Sequence, residues 1–113
     1  MDVVFYENEK GEKPAIDFLN SIDSKMRAKM LRTIQLLEVN GNKLREPYTK
    51  FLRYGIFELR AKEGSDITRV LYFYMIGNKA VLSHGFIKKT DKTPSSEIDR
   101  AIHNRNDYLN RFK

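Results

Sequence analysis

Three strand-forming runs stand almost back to back between residues 56 and 88: "IFELRAK" at 56–62, "ITRVLYFYMI" at 67–76 and "KAVLSHGFIK" at 79–88. Only "EGSD" and "GN" separate them. Gaps that short leave room for turns and nothing else, so the three strands pair side by side as an antiparallel unit. Whatever else the chain forms has to pack against this sheet.

The flanking segments supply the rest. "DVVFYE" at 2–7 is β-branched and aromatic and stops at the polar "NEKG", which reads as a first strand. Pro14 suits the first turn of a helix, with Ile16, Leu19 and Ile22 on one face. Asp23 or Ser24 caps a second helix over 24–39, whose Met26, Met30, Ile34 and Leu37 keep helical spacing. Lys25, Lys29 and Arg32 line another side of it and read as a solvated face. Asn40-Gly41 supplies a left-handed stop. Residues 41–55 read as a long connection, of a length often tied to function in small domains. At the other end Thr93 caps a closing helix, with Pro94 at its first position and Glu97 in its first turn. Ile98, Ile102, Leu109 and Phe112 mark its buried side. The expected order is β-α-α-β-β-β-α in one domain over 1–113, an α+β fold with helices against an antiparallel sheet.

The charge is uneven. The chain carries +6 overall, yet residues 1–42 hold 6 basic and 7 acidic side chains and residues 43–113 hold 15 and 8. A basic half favours a polyanionic partner such as RNA, DNA or an acidic protein. There is no cysteine and only two histidines, His84 and His103. Disulfides and thiolate metal sites are thereby excluded, and a histidine-rich metal site is not expected. No apolar stretch approaches the length of a membrane span. "MDVVFYENEKG" has acids where a secretory leader needs a basic start, so the expected location is the cytoplasm.

Strand alternation sorts the first run of the meander. Phe57, Leu59 and Ala61 point to the core, whereas Ile56, Glu58, Arg60 and Lys62 point the other way, so Arg60 stands on the open face. Arg69 precedes the apolar "VLYFYMI", and His84, Lys88 and Lys89 close the last run. Any one of these cations alone reads as a solvated face or an edge guard. Gathered on three neighbouring strands they repel one another, which a site for a phosphate backbone would explain. The chain lacks the carboxylates of a two-metal nuclease, a Ser-His-Asp set and a phosphate-binding glycine loop. Basic side chains can still promote RNA cleavage without a metal. The 2′-hydroxyl attacks the adjacent phosphate, a base takes its proton, cations stabilise the charge, and an acid protonates the leaving 5′-oxygen. His84 has the intrinsic pKa for proton transfer, and a lysine crowded by cations is the other candidate base.

Four stretches carry a family likeness: "EPYTKFLRYGIFELR" at 46–60, "RVLYFY" at 69–74, "LSHGFIKKTDKTP" at 82–94 and "EIDRAIHNRNDYL" at 97–109. In that order they resemble the RelE/ParE superfamily of type II toxins, most of all its HigB-like, phage-derived branch. The resemblance implies a compact RelE-like domain with helices packed on one side of a central antiparallel sheet. It implies a ribosome-dependent mRNA endoribonuclease without cofactor or metal. It also implies a cognate antitoxin, a helix-turn-helix HigA-like protein, through whose complex operator DNA is bound. By position, Arg60 and Arg69 match the residues expected to grip the scissile phosphate. Lys88 and Lys89 fall in the family's basic segment, joined by Lys92, and His84 is a proton-transfer candidate. Lys50, Arg53 and Tyr54 in the long connection are placed to meet RNA or ribosome, Tyr54 by stacking on a base. Two other classes remain: a gyrase inhibitor like the ParE side of the superfamily, and an inactive antitoxin-binding module.

Overall fold

The computed structural model describes residues 1–112. Five strands and three α-helices follow one another as β1 (Asp2–Phe5), α1 (Pro14–Ser21), α2 (Ser24–Asn40), β2 (Thr49–Arg53), β3 (Ile56–Glu63), β4 (Asp66–Met75), β5 (Lys79–Lys88) and α3 (Ser95–Arg111). The sheet order is β1-β5-β4-β3-β2. Strands β2 to β5 form an antiparallel meander, as their short turns require. β1 reaches the sheet without a hairpin and pairs parallel to β5, which makes the sheet mixed.

The expected helix signals act where the sequence puts them. Pro14 opens α1. The Asp23 carboxylate accepts from the amides of Lys25 and Met26 and caps α2, and Gly41, at φ 57°, ends it. α3 departs from expectation. Its flanking residue is Pro94, with no side-chain cap, because the Thr93 hydroxyl is engaged elsewhere.

The long connection is shorter than expected. Residues 49–53 form an edge strand that turns into β3 through Tyr54 and Gly55, at φ 53° and 78°. Two successive positive φ angles give the mirror-image turn whose twist suits a hairpin.

Both faces of the sheet are buried. Ala15 and Leu19 of α1 and Met30 and Leu37 of α2 pack on Leu59 and Tyr72. On the other face Ile98 and Ala101 of α3 pack on Ile56, Leu71, Phe73 and Val81. Packing on one side therefore describes α1 and α2 only. β4 is apolar on both faces, and a strand of that kind needs cover on both. The face expected to be open is thus roofed by α3 over most of its length, and only its β3–β4 turn end is left for Arg60.

At His84 the ladder slips. Tyr72 faces Leu82 and Leu71 faces His84, so Ser83 is an extra, bulged residue. Next to it, Gly85 lies against the Phe18 ring so closely that a Cβ would overlap it.

Candidate phosphate-binding site

Arg60 and Arg69 are direct cross-strand partners, and Phe86 of β5 completes the row. Two guanidinium groups side by side on one face repel. Glu58, two residues before Arg60 on the same face, relieves that repulsion. Its Oε2 accepts from Arg60 Nε at 2.5 Å, and its Oε1 lies 3.7 Å from Arg69 Nη1. Glu58 is fully buried, as is Arg69. Arg60 keeps 18% of its side chain exposed.

The segment after β5 closes over this trio. Thr93 donates its hydroxyl to Glu58 Oε1 at 2.6 Å and accepts from Arg69 Nη1 at 3.3 Å. The Asp91 carbonyl accepts from Arg60 Nη2 at 2.5 Å and from Arg69 Nη1 at 3.3 Å. The Asp91 carboxylate, largely in solvent, sits 3.8 Å from Arg60 Nη1. Nε and Nη2 of Arg69 have no partner among the described residues. Burial pulls the Arg69 pKa down, Glu58 opposes that, and Arg60 adds to it.

The candidates from the sequence fall into three groups. Arg60 and Arg69 meet, as expected, but Arg69 offers a phosphate no surface. It holds Arg60's carboxylate and the Asp91–Thr93 roof instead. Lys88, Lys89 and Lys92 are exposed on the strand end and segment that lead into that roof, with Lys88 opposite Ile67. Lys50, exposed on β2, is the cross-strand partner of Glu58 and shares its face. Lys50 is thus one strand from Glu58 and Lys88 two strands from Lys62, so these lysines flank the arginine pair without touching it.

Arg53 and Tyr54 lie at the far end of the β2–β3 hairpin, about 13 Å along the strand from Arg60. There Arg53 reaches Asp99 at 3.9 Å and lies over the Tyr54 ring. Tyr54 is 70% exposed, and its carbonyl accepts from Arg105. They form a separate exposed corner.

His84 stands apart as well. It is two strands from Glu58, on the order of 10 Å, and fully buried. Asn104 donates to Ser83 Oγ at 2.9 Å, Ser83 Oγ meets His84 Nδ1 at 2.9 Å, and His84 Nε2 meets Glu97 Oε1 at 3.3 Å. Read as one chain of donors, this puts the imidazole proton on Nε2. Burial, aided by Arg100, pushes the His84 pKa down to about 3. A neutral imidazole with both nitrogens engaged pins α3 to β5. It does not face the arginine pair.

Sequence reading missed Glu58, Asp91 and Thr93. The signal for Glu58 was present: an acid on a strand, on the side of Arg60 and two residues before it. Among the described residues no three His, Asp or Glu side chains gather as a metal would need, and no helix is long and apolar enough to cross a membrane.

No curated protein matches the chain. The family described as phage derived protein Gp49-like matches residues 17–106. That span runs from α1 into α3 and takes in the meander, the arginine pair and its roof. On that match, this chain belongs to the phage-derived Gp49-like family.

Proposed function

We propose that the chain is the toxin of a type II toxin–antitoxin pair, of the RelE/ParE kind and its HigB-like branch, and that it cleaves mRNA on the ribosome. The observation that carries this reading is Arg60. Its guanidinium is held by a buried carboxylate and keeps part of its surface in solvent, with exposed Lys50 across from Glu58 and exposed Lys88, Lys89 and Lys92 at and after the end of β5. A fixed planar fork on a basic surface suits a phosphodiester whose charge grows during reaction.

In the proposed reaction the 2′-hydroxyl oxygen bonds to phosphorus and the bond to the 5′-oxygen breaks. A 2′,3′-cyclic phosphate and a free 5′-hydroxyl result. Arg60 and the lysines stabilise the charge on the phosphoryl oxygens. The exposed Asp91 carboxylate beside Arg60 takes the 2′-hydroxyl proton, and a lysine of the 88–92 segment returns one to the 5′-oxygen. Arg69 and Glu58 act as positioning residues through Arg60. The cognate antitoxin, a HigA-like protein in this reading, covers this basic face or blocks entry to the ribosome.

The test is primer extension on a reporter mRNA after brief induction without antitoxin, with Arg60→Ala and Lys88→Ala/Lys89→Ala proteins alongside. New translation-dependent 5′ ends, lost in both variants, are expected. Arrest of growth without new ends would replace the nuclease with a toxin acting on a protein. No arrest and no ends would leave an antitoxin-binding module.

A further inference from the structure

Beside Arg60 runs a groove most of whose lining the cleavage step does not use. β2 stops pairing with β3 at Leu59, so on the side away from β4 no strand lies next to β3 from Arg60 to Lys62. α2 on one side and the Pro47–Tyr48 turn on the other wall this open edge into a cavity of about 390 Å³. Ala61, Ile67 and Pro47 give it an apolar lining, and Lys29, Arg32, Lys62 and Arg60 stand round it with Asp91 the single acid among the lining residues. The Tyr48 carbonyl accepts from the Arg60 amide at 2.9 Å, which fixes Tyr48 beside Arg60.

Protecting a sheet edge does not require this many cations. Lys29 already does it, with Nζ 3.1 Å from the Lys62 carbonyl and 2.6 Å from the Glu63 carboxylate. Arg32 and Lys62 are both exposed and make no ion pair among the described residues. Tyr48 shows 45% of its surface. An apolar slot with an aromatic wall accepts a planar base, and cations at its mouth accept the phosphate that travels with it. A base in a duplex is stacked on both faces and paired along its edge, so a single strand delivers one far more readily.

We propose that this groove binds one nucleotide of single-stranded RNA, next to the phosphate held at Arg60. Its base lies against Tyr48 and its phosphate between Arg32 and Lys62. The inference rests on the RNA reading above and adds a second subsite to it, reached by the chain as it leaves Arg60.

The probe is a trinucleotide of 2′-O-methyl adenosine, which has no free 2′-hydroxyl and cannot be cut. Titrated into the full ¹⁵N-labelled chain, it is expected to shift the amides of Lys29–Thr33, Tyr48 and Arg60–Lys62. Tyr48→Ala and Arg32→Ala should each weaken binding roughly fivefold or more, and Tyr48→Phe should not, since the ring stacks without its hydroxyl. Shifts confined to 88–92, unchanged affinity in both alanine variants, or no binding would overturn the subsite. Stronger binding of an acidic peptide such as hexaglutamate at the same amides would make the groove a protein-docking surface instead. The cleavage reading is judged separately by primer extension. If message is cut while Tyr48→Ala and Arg32→Ala proteins bind and cut normally, only the subsite fails. If the trinucleotide fills the groove and no message is cut, only the nuclease fails.

Discussion

Removing the Glu58 carboxylate would leave Arg69 charged, fully buried and without its counter-ion. Breaking a buried pair from one side typically costs about 3–5 kcal/mol, and that loss is expected of Glu58→Ala in urea denaturation. Glu58→Gln keeps an acceptor for Thr93 and should lose less. A loss below about 1 kcal/mol for the alanine variant, the scale of a surface pair, would show that Arg69 is held by Asp91 and Thr93 alone. His84 makes a second prediction at this scale. Its pKa falls from 6.5 to about 3 on folding, through burial first and Arg100 second. Below pH 6.5 the unfolded chain therefore takes up a proton that the folded chain refuses. Stability is complete above that pH and drains as pH falls toward 3, with a slope approaching about 1.4 kcal/mol per pH unit. The Glu97 carboxylate, which would welcome a charged ring, limits the slope. His84→Gln should flatten the acid limb of a stability–pH curve relative to the parent. An unchanged limb would assign it to other groups.

Among the elements, α1 meets β5 at a close fit. Gly85 admits the Phe18 ring where any side chain would overlap it. Gly85→Ala should cost about 1–3 kcal/mol as overpacking, and Phe18→Leu in the same chain should restore part of the midpoint. A Gly85→Ala protein as stable as its parent would mean that α1 moves aside freely. At this scale the sequence was readable where the signals were local. The three long strands carry their own turns, and α2 carries its cap and its stop, so their bounds were legible to within a residue or so. β2 was not legible. It has five residues, its Phe51 is 57% exposed, and its Tyr54–Gly55 turn lacks the usual asparagine. What holds that turn is Arg105, far along the chain. The site divides in the same way. Arg60 followed from strand parity. The link from Glu58 to Thr93 did not, because it depends on residues 91–93 coming back over β3. The placement of α3 was hidden as well, since the run "VLYFYMI" says that a strand is buried and not which helix buries it.

For the molecule as a whole, the proposed RNA path draws on part of the basic excess, the exposed Lys88, Lys89 and Lys92 at and after the end of β5. Attraction of that kind weakens with salt as counter-ions compete for the phosphates. Each single-strand phosphate contact adds roughly 0.7 to the log–log slope. Replacing Lys88, Lys89 and Lys92 together by alanine should lower the slope of RNA affinity against salt by about 2. A slope equal to the parent's would put the RNA path elsewhere, and Lys50 would be the next cation to remove.

The parallel pairing of β1 with β5 sets an order of events. β1 is made before the other four strands, and its register partners Lys79–Leu82 lie far later in the sequence. During synthesis Val3, Val4 and Phe5 must wait unpaired while α2 and the β2–β4 hairpins assemble from nearby residues. Closing so long a span is slow compared with a hairpin. Arg60 can meet Arg69 once β4 has emerged, but the Asp91–Thr93 roof and α3 are still to come. A chain stopped before residue 91 would carry the arginines without the segment that orients them. The finished surface around Arg60 is thus assembled only after the Asp91–Thr93 segment has emerged, well after the arginines that it orients.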